Sequence, residues 1–151
     1  MNRIIKAVAV VVIFGILIGA AYAQFARPED AIKYRKAVMT IIVQHFGRMG
    51  AMVKGKVPYD QEAFANNAAV IEQVSVLPWD AFLAPGSDKG KTTMKSSVLK
   101  NQSDFKALAQ TFEMEVGKLA AAAKSGDFDA AKAQFGAVAR SCKACHSKTR
   151  K

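Results

Sequence analysis

The chain has 151 residues, with 22 Lys and Arg against 12 Asp and Glu, which gives a formal net charge of +10. A chain of this length is expected to form one domain. Apolar residues make up 51% and charged residues 23% of the sequence, a balance that excludes an intrinsically disordered protein. Two cysteines are too few for a disulfide scaffold, and 10 Gly with 4 Pro exclude collagen-like and low-complexity chains.

The first 23 residues have the pattern of a secretory signal peptide. A short positive start precedes an apolar run over 7–20, and Ala21-Tyr22-Ala23 supplies the small residues typical of a cleavage site before Gln24. An uncleaved membrane anchor is the alternative, because the 20 residues over 7–26 carry no charge and could span a bilayer. The Ala-x-Ala step and the polar Gln24 favour cleavage.

Cleavage at that point defines a signal peptide over 1–23 and a mature domain over 24–151. The mature part has 128 residues, with 20 Lys and Arg and 12 Asp and Glu, and a formal charge of +8. We therefore predict a periplasmic protein that is not stably inserted in the membrane after its signal is removed. Its two cysteines must then be interpreted as those of an exported protein.

The mature part predicts four amphipathic helices and no strand, because apolar residues recur in steps of three and four. In the first helix Arg35, Met39, Ile42 and Phe46 fall on one stripe. The four predicted helices span about 28–54, 60–77, 103–124 and from 127 to near the end of the chain. Four helices of this size predict an all-α fold, a four-helix bundle.

A basic loop is predicted over 78–101, between the second and third of these helices. Its Pro85-Gly86-Ser87-Asp88 segment is typical of a turn, and Trp79 and Phe82 are expected to hold the start of the loop against the bundle. Helix connections usually take about 2–8 residues, so a loop of this length is usually functional or disordered. A functional loop at this place would cover a ligand.

The segment Cys142-Lys143-Ala144-Cys145-His146 is the c-type haem attachment pattern. Two thiols three residues apart on a helix point the same way, so both can add to the vinyl groups of one haem. His146 then lies over the same porphyrin face and can bind the iron axially. The motif predicts one covalently attached haem c per chain.

Three other interpretations of the cysteine pair are weaker. A redox dithiol usually follows a strand at the start of a helix, whereas Cys142 and Cys145 lie near the end of one. Cysteines three apart in one helix have poor geometry for a disulfide. A zinc site needs about four ligands, and His45 is the only histidine outside the motif.

The mature sequence resembles the cytochrome c′ family, the class II c-type cytochromes. The resemblance extends over 24–151 and depends on short matches in addition to the terminal motif and Arg150. These matches are Gln24-Phe25-Ala26-Arg27-Pro28-Glu29-Asp30-Ala31, His45-Phe46-Gly47-Arg48-Met49, Lys54-Gly55, Pro58-Tyr59-Asp60 and Leu77-Pro78-Trp79. One departure is Ser96-Ser97-Val98-Leu99, where the family often has a Pro-x-Ile-Trp stretch.

This resemblance implies an antiparallel four-helix bundle with haem c near one end. It implies an iron bound by one histidine, with the opposite face blocked by a side chain of the first helix. Family members bind NO and often CO, exchange single electrons with redox partner proteins, and many are homodimers through their first two helices. These properties are expectations for the present chain.

The resemblance also assigns roles to single residues. Arg35 falls where the family has an arginine at a haem propionate, and charge pairing with a carboxylate gives that role a physical reason. Met39 falls at the position of the distal blocking residue. Arg150, four residues after His146, would lie on the proximal side, although it could also be an ordinary basic residue of the chain end.

Lys36 and Thr93 are weaker candidates for contact with the haem edge or a propionate. For Lys36 a plain surface lysine is the simpler interpretation, and Thr93 is assigned by rough alignment of the loop. His45 falls off the stripe that holds Arg35 and Met39, so we expect it not to bind the iron.

Two functions remain open at this stage, and they differ in the role of Met39. In cytochromes c′ the distal residue covers the iron without bonding it, whereas in low-spin relatives with the same fold a methionine there is the sixth ligand. The flanking residues favour a five-coordinate haem protein that binds NO and CO and takes part in one-electron transfer. The alternative is a six-coordinate His/Met electron carrier.

The expected partners follow from the same considerations. We expect that the protein is not an enzyme, because no distal His–Arg acid–base pair is evident. A nucleic-acid partner is not expected, since no recognition motif or interleaved aromatic pattern is present. The basic residues around the haem motif either steer an acidic redox partner or simply keep the protein soluble; they are Lys143, Lys148, Arg150 and Lys151.

Overall fold

A computed structural model describes residues 24–151 of the chain, so the predicted signal peptide lies outside the described residues. The described part contains six helices and no strand. They are α1 (Pro28–Val53), α2 (Gln61–Val74), α3 (Trp79–Leu83), α4 (Ser97–Lys100), α5 (Gln102–Ser125) and α6 (Phe128–Thr149). The four long helices confirm the predicted all-α four-helix bundle.

The ends of the long helices follow from local sequence. Asp60 and Asp127 cap α2 and α6, each accepting a hydrogen bond of 2.9 Å from a backbone N–H three residues on. Gly126 ends α5 with φ at 81°, a left-handed conformation that glycine adopts without steric cost. Pro28 begins α1, whose first turn also carries Glu29 and Asp30 next to the positive end of the helix dipole.

The long helices pack in the order α1, α2, α5 and α6 around the bundle. Phe46 of α1 stacks on Phe135 of α6 with ring centroids 4.0 Å apart, which brings the last helix against the first. This packing buries a main core between the helices. Its members are Val38, Ile42, Met49, Phe64, Ala68, Ile71, Phe112, Val116, Leu119, Ala120, Ala123, Ala131, Phe135 and Val138.

The prediction of a continuous loop over 78–101 is wrong at its two ends, where α3 and α4 form. Helices of five and four residues are too short to show a repeat in the sequence, and Pro78 is the N-cap of the first of them. The predicted anchoring by aromatic residues is confirmed. Trp79 lies edge-on to Phe105 and Phe112 of α5, with centroid distances of 6.0 and 5.8 Å.

These short helices build a second, smaller cluster at one end of the bundle. The buried members of this end cluster are Met94, Val98 and Phe105. Trp79 packs against both the end cluster and the main core, and so lies at their junction. The loop therefore forms a structured cap over one end of the bundle.

Candidate haem site

The last turns of α6 place the cysteine motif at the junction of the two clusters. Cys142 packs against the main core, and Cys145 packs against the end cluster. Both thiols are free and half-buried, while His146 is exposed one residue further on. The helix thus presents two thiols and an imidazole together, beside apolar walls.

Burial shifts the pKa of each of these three groups in the direction that favours its neutral form. Burial raises the pKa of both thiols, and the neighbouring Cys145 adds to the rise for Cys142. Burial, and to a lesser extent the positive charge of Arg150, lowers the pKa of His146. The thiols do not have the lowered pKa of a reactive redox pair, and the neutral imidazole is the form that binds a metal.

Trp79 adds an unused hydrogen-bond donor at the same junction. Its indole N–H is buried and has no hydrogen-bond partner among the described residues. Buried polar groups normally have a partner, so this N–H is available to a polar group of a bound molecule. The thiols, the imidazole, the apolar walls and this donor together fit the chemistry of a haem.

Arg35 projects from α1 into the loop and is 2% exposed. One terminal nitrogen donates to the Ala81 carbonyl and the Ser87 hydroxyl, both at 3.1 Å, and lies 3.3 Å from the Met94 sulfur. The other donates at 2.7 Å to the Ser87 carbonyl and to the Thr92 hydroxyl. Arg35 thereby ties the loop to α1.

The charge of this buried guanidinium is only partly compensated. The guanidinium lies over the Phe82 ring, 4.6 Å from its centroid. Burial lowers the pKa of Arg35, while the carboxylate of Asp88 opposes that shift; arginine remains protonated in any case. Among the described residues no carboxylate forms a salt bridge with it. The position predicted for contact with a propionate therefore holds a buried cation.

A second set of bonds joins the loop to the end of α6. Met94 and Arg150 form an isolated antiparallel bridge, flanked by bonds of 2.8 Å from Lys95 N–H to Thr149 O and from Lys151 N–H to Thr93 O. The Arg150 Nε also lies 3.5 Å from the Thr93 hydroxyl. The chain end is thus paired with the loop, and Thr93 and Arg150 are neighbours.

The remaining candidates lie in three different surroundings. Met39 is half-buried on α1 and packs against the main core. Lys36 is exposed, and its ammonium donates to the Lys91 carbonyl at 2.5 Å. His45 is half-buried between α1 and α2, with Nδ1 2.8 Å from Asn67 Oδ1, so that this nitrogen carries the proton.

The sequence did not reveal the contacts of Ser87 and Met94 with Arg35. Ser87 belongs to a turn recognised from its composition, and Gly86 before it has φ at 77°. However, its partner lies 52 residues away, and nothing in the local pattern specifies a contact across that separation.

A sequence model of the cytochrome c′ family matches residues 30–150. The chain belongs to the cytochrome c′ family. It is 44% identical over 128 residues to the cytochrome c′ of Alcaligenes xylosoxydans xylosoxydans, covering 85% of this chain and 98% of that protein. The family's cofactor is covalently attached haem c, so the cofactor predicted from the sequence is confirmed.

Solved structures of cytochromes c′ share the fold of the present chain. The crystal structure from Rubrivivax gelatinosus is 45% identical with a TM-score of 0.80, covering 85% of this chain and all of that one. A variant of the protein from Alcaligenes xylosoxidans, solved as a nitric oxide complex, is 44% identical with a TM-score of 0.79 and covers 85% and 98%. Within the described part of this cytochrome c′, no helix has the length and apolar character needed to cross a membrane.

Proposed function

We propose that this cytochrome c′ is a periplasmic haem protein whose five-coordinate iron binds nitric oxide and takes part in one-electron transfer. The observation that carries the proposal is the set of Cys142, Cys145 and His146 at the junction of the two clusters, on a fold shared with a cytochrome c′ solved as a nitric oxide complex. CO is a second expected ligand. The protein is not an enzyme: it supplies attachment, shielding and charge to the cofactor.

In this proposal the motif holds the haem. The thiols of Cys142 and Cys145 would hold the haem covalently through its two vinyl groups. The imidazole of His146 would bind the iron. When bound, the haem supplies a gas-binding iron and a one-electron redox couple.

The opposite face is assigned to α1. Met39 lies one helical turn after Arg35 and packs against the main core, as Cys142 does. That packing supports a side chain fixed in place as a cover for the iron. The second candidate function, a six-coordinate electron carrier, requires the Met39 sulfur to bond the iron, and a thioether is chemically suited to do so.

The charged residues around the loop are assigned to the edge of the haem. Arg35 is a buried cation with no carboxylate partner in the described chain, which supports its pairing with a propionate. Thr93 lies in the same loop and Lys36 bonds to it, and both residues are assigned to the haem edge. Arg150 lies four residues after His146 and is assigned to the proximal side.

A homodimer through α1 and α2 belongs to the same proposal. Helix α1 and the turn after α2 carry most of the large apolar side chains exposed in the described chain. They are Tyr34, Ile41, Val43, Val76 and Leu77. An apolar surface of this kind supports association with a second copy.

Sedimentation of the holoprotein should give a dimer, and Val43→Glu should give a monomer.

Titration of the reduced holoprotein with NO tests the proposed function. We expect one NO to bind per haem, with a clear Soret shift and without displacement of a protein ligand on the distal side. Failure to bind NO, or binding only after a slow step that removes Met39 from the iron, would contradict the five-coordinate assignment.

A further inference from the structure

The positive charge of the described chain is concentrated in two segments, 89–103 and 130–151. The first carries four basic side chains and the second six, and neither carries an acidic one. The rest of 24–151 carries ten basic and twelve acidic side chains, a formal charge of −2. The whole positive excess therefore comes from these two segments.

The fold brings the two segments together. The bridge between Met94 and Arg150 pairs them through the backbone, and the Lys95 ammonium donates to the Ser147 carbonyl at 3.2 Å. Lys36 of α1 joins the same surface through its bond to the Lys91 carbonyl. We call this surface the basic rim. It consists of Lys36, Lys91, Lys95, Lys148, Arg150 and Lys151.

The charge of the basic rim is not neutralised by neighbouring acidic groups. Asp88 and Asp104 border the loop segment, and Asp129 precedes 130–151. Asp88 is 6% exposed and pairs with Lys89 at 3.4 Å, and among the described residues no rim residue forms a salt bridge. None of the large apolar side chains exposed in the described chain lies in 89–103 or 130–151. The rim therefore offers charge to a partner, without apolar side chains that would enter a bilayer.

The rim borders the haem attachment site. Lys148 and Arg150 follow His146 by two and four residues, within the final turn of α6 and its C-cap. A protein bound on the rim would lie beside the haem held by this motif. Opposite charge on such a protein would speed its encounter and orient it toward the site.

We propose that the basic rim is the docking surface for an acidic redox protein, an inference that rests on the one-electron role proposed above. Charge complementarity selects the partner, and the absence of exposed apolar side chains favours a protein over a lipid surface. The exchange moves one electron from the reduced centre of the partner to the ferric iron, and no atom is transferred.

An acidic flavodoxin, reduced to its hydroquinone, is a suitable probe. The rim variant is Lys91→Glu with Lys148→Glu, one exposed residue from each segment. The matched control is Lys56→Glu with Lys124→Glu, which makes the same change in charge. Lys124 lies next to the start of α6, and the 22 residues of that helix separate it from the rim by about 33 Å.

Two measurements on the holoproteins at low salt test the proposal. In NMR titrations with oxidised flavodoxin, amide shifts should map to 89–95 and 143–151, and the rim variant should bind on the order of tenfold more weakly. In stopped-flow reduction by the hydroquinone, the second-order rate constant should fall by a similar factor. The control variant should change each value by less than about twofold, and added salt should remove the difference.

Equal losses of flavodoxin affinity and reduction rate in the rim and control variants would overturn the proposal, because only net charge would then matter. So would strong binding to phosphatidylglycerol vesicles without binding to flavodoxin. Titration of the wild type and of each variant with NO separates the two proposals. Failure of the wild type to bind NO would contradict the proposed function, whereas the NMR map tests the rim independently of NO binding. The reduction potential of every variant should also be measured, so that rate constants are compared only between proteins with the same driving force.

Discussion

At the scale of single residues, Arg35 shows what a helical stripe reveals and what it omits. The sequence places this arginine on an otherwise apolar face, and the structure buries it there. Its partners, however, lie between 46 and 59 residues away in the loop. In place of water, the guanidinium contacts two carbonyls, two hydroxyls and a sulfur. Removing the side chain would therefore leave several buried acceptors without donors.

Replacement of Arg35 by Ala should therefore destabilise the holoprotein strongly. We expect the free energy of unfolding in urea to fall by about 2–4 kcal/mol, because a buried network loses its central donor. Arg27→Ala is the control, since Arg27 forms an exposed ion pair with Asp30 and should matter little. Similar losses in the two variants would show that the buried contacts of Arg35 contribute nothing special.

We expect the function of His45 to be limited to structure. Its ring bonds Asn67 between α1 and α2, and it does not belong to the cysteine motif. His45→Ala should leave the Soret and visible bands nearly unchanged while lowering stability by roughly 1 kcal/mol. His146→Ala is the positive control and should alter the spectrum at once. A large Soret shift in the His45 variant would refute this assignment.

At the scale of elements, the long helices were predictable and the cap over the bundle end was not. Each long helix has a repeating apolar stripe and a local start or stop signal, such as Asp60, Asp127 or Gly126. The helices α3 and α4 are too short for any repeat. The pairing of the loop with the end of α6 is set by distant contacts that no local pattern records.

Asp88 links this cap to pH. The Ser96 hydroxyl, and secondly Lys89, hold the pKa of Asp88 below its usual value near 4, so the ionised form favours the folded state. The stabilisation is present above that usual value and is lost as the pH falls through the lowered one. Asp88→Asn should therefore flatten the decline of stability with acid in urea unfolding at a series of pH values.

The control for that experiment is Asp80→Asn, which changes an exposed carboxylate of α3. Its stability should decline with acid as the wild type does. If the Asp88 variant followed the same curve as the wild type, the carboxylate would not contribute to the stability of the cap.

At the scale of the whole molecule, sequence and structure agree on a four-helix bundle that carries the haem attachment motif on its last helix. The attachment motif was predictable because its three residues fall within five consecutive positions of one helix, and the cofactor follows from it. The division of the interior into a main core and an end cluster, with Cys142 on one and Cys145 on the other, required the structure. The basic rim also depends on the fold, since its segments are remote in sequence.

Removal of both thiols tests how far the fold depends on its cofactor. Cys142→Ala with Cys145→Ala should yield little stable protein, because the haem loses its anchors and fills less of the junction. Any haem that this variant retains should extract into acid acetone, whereas the haem of the wild type should stay with the polypeptide. Extraction of haem from the wild type would contradict covalent attachment.

In the proposed function the iron is five-coordinate and is covered, but not bonded, by Met39. Electron paramagnetic resonance of the ferric holoprotein at neutral pH, compared between the wild type and Met39→Ala, tests it most directly. We predict a high-spin signal in both ferric proteins, without the near-infrared charge-transfer band of sulfur-bound haem. After reduction, the variant should bind CO faster because its distal pocket is more open. A low-spin wild-type signal that becomes high-spin in Met39→Ala would contradict the claim and identify a six-coordinate electron carrier.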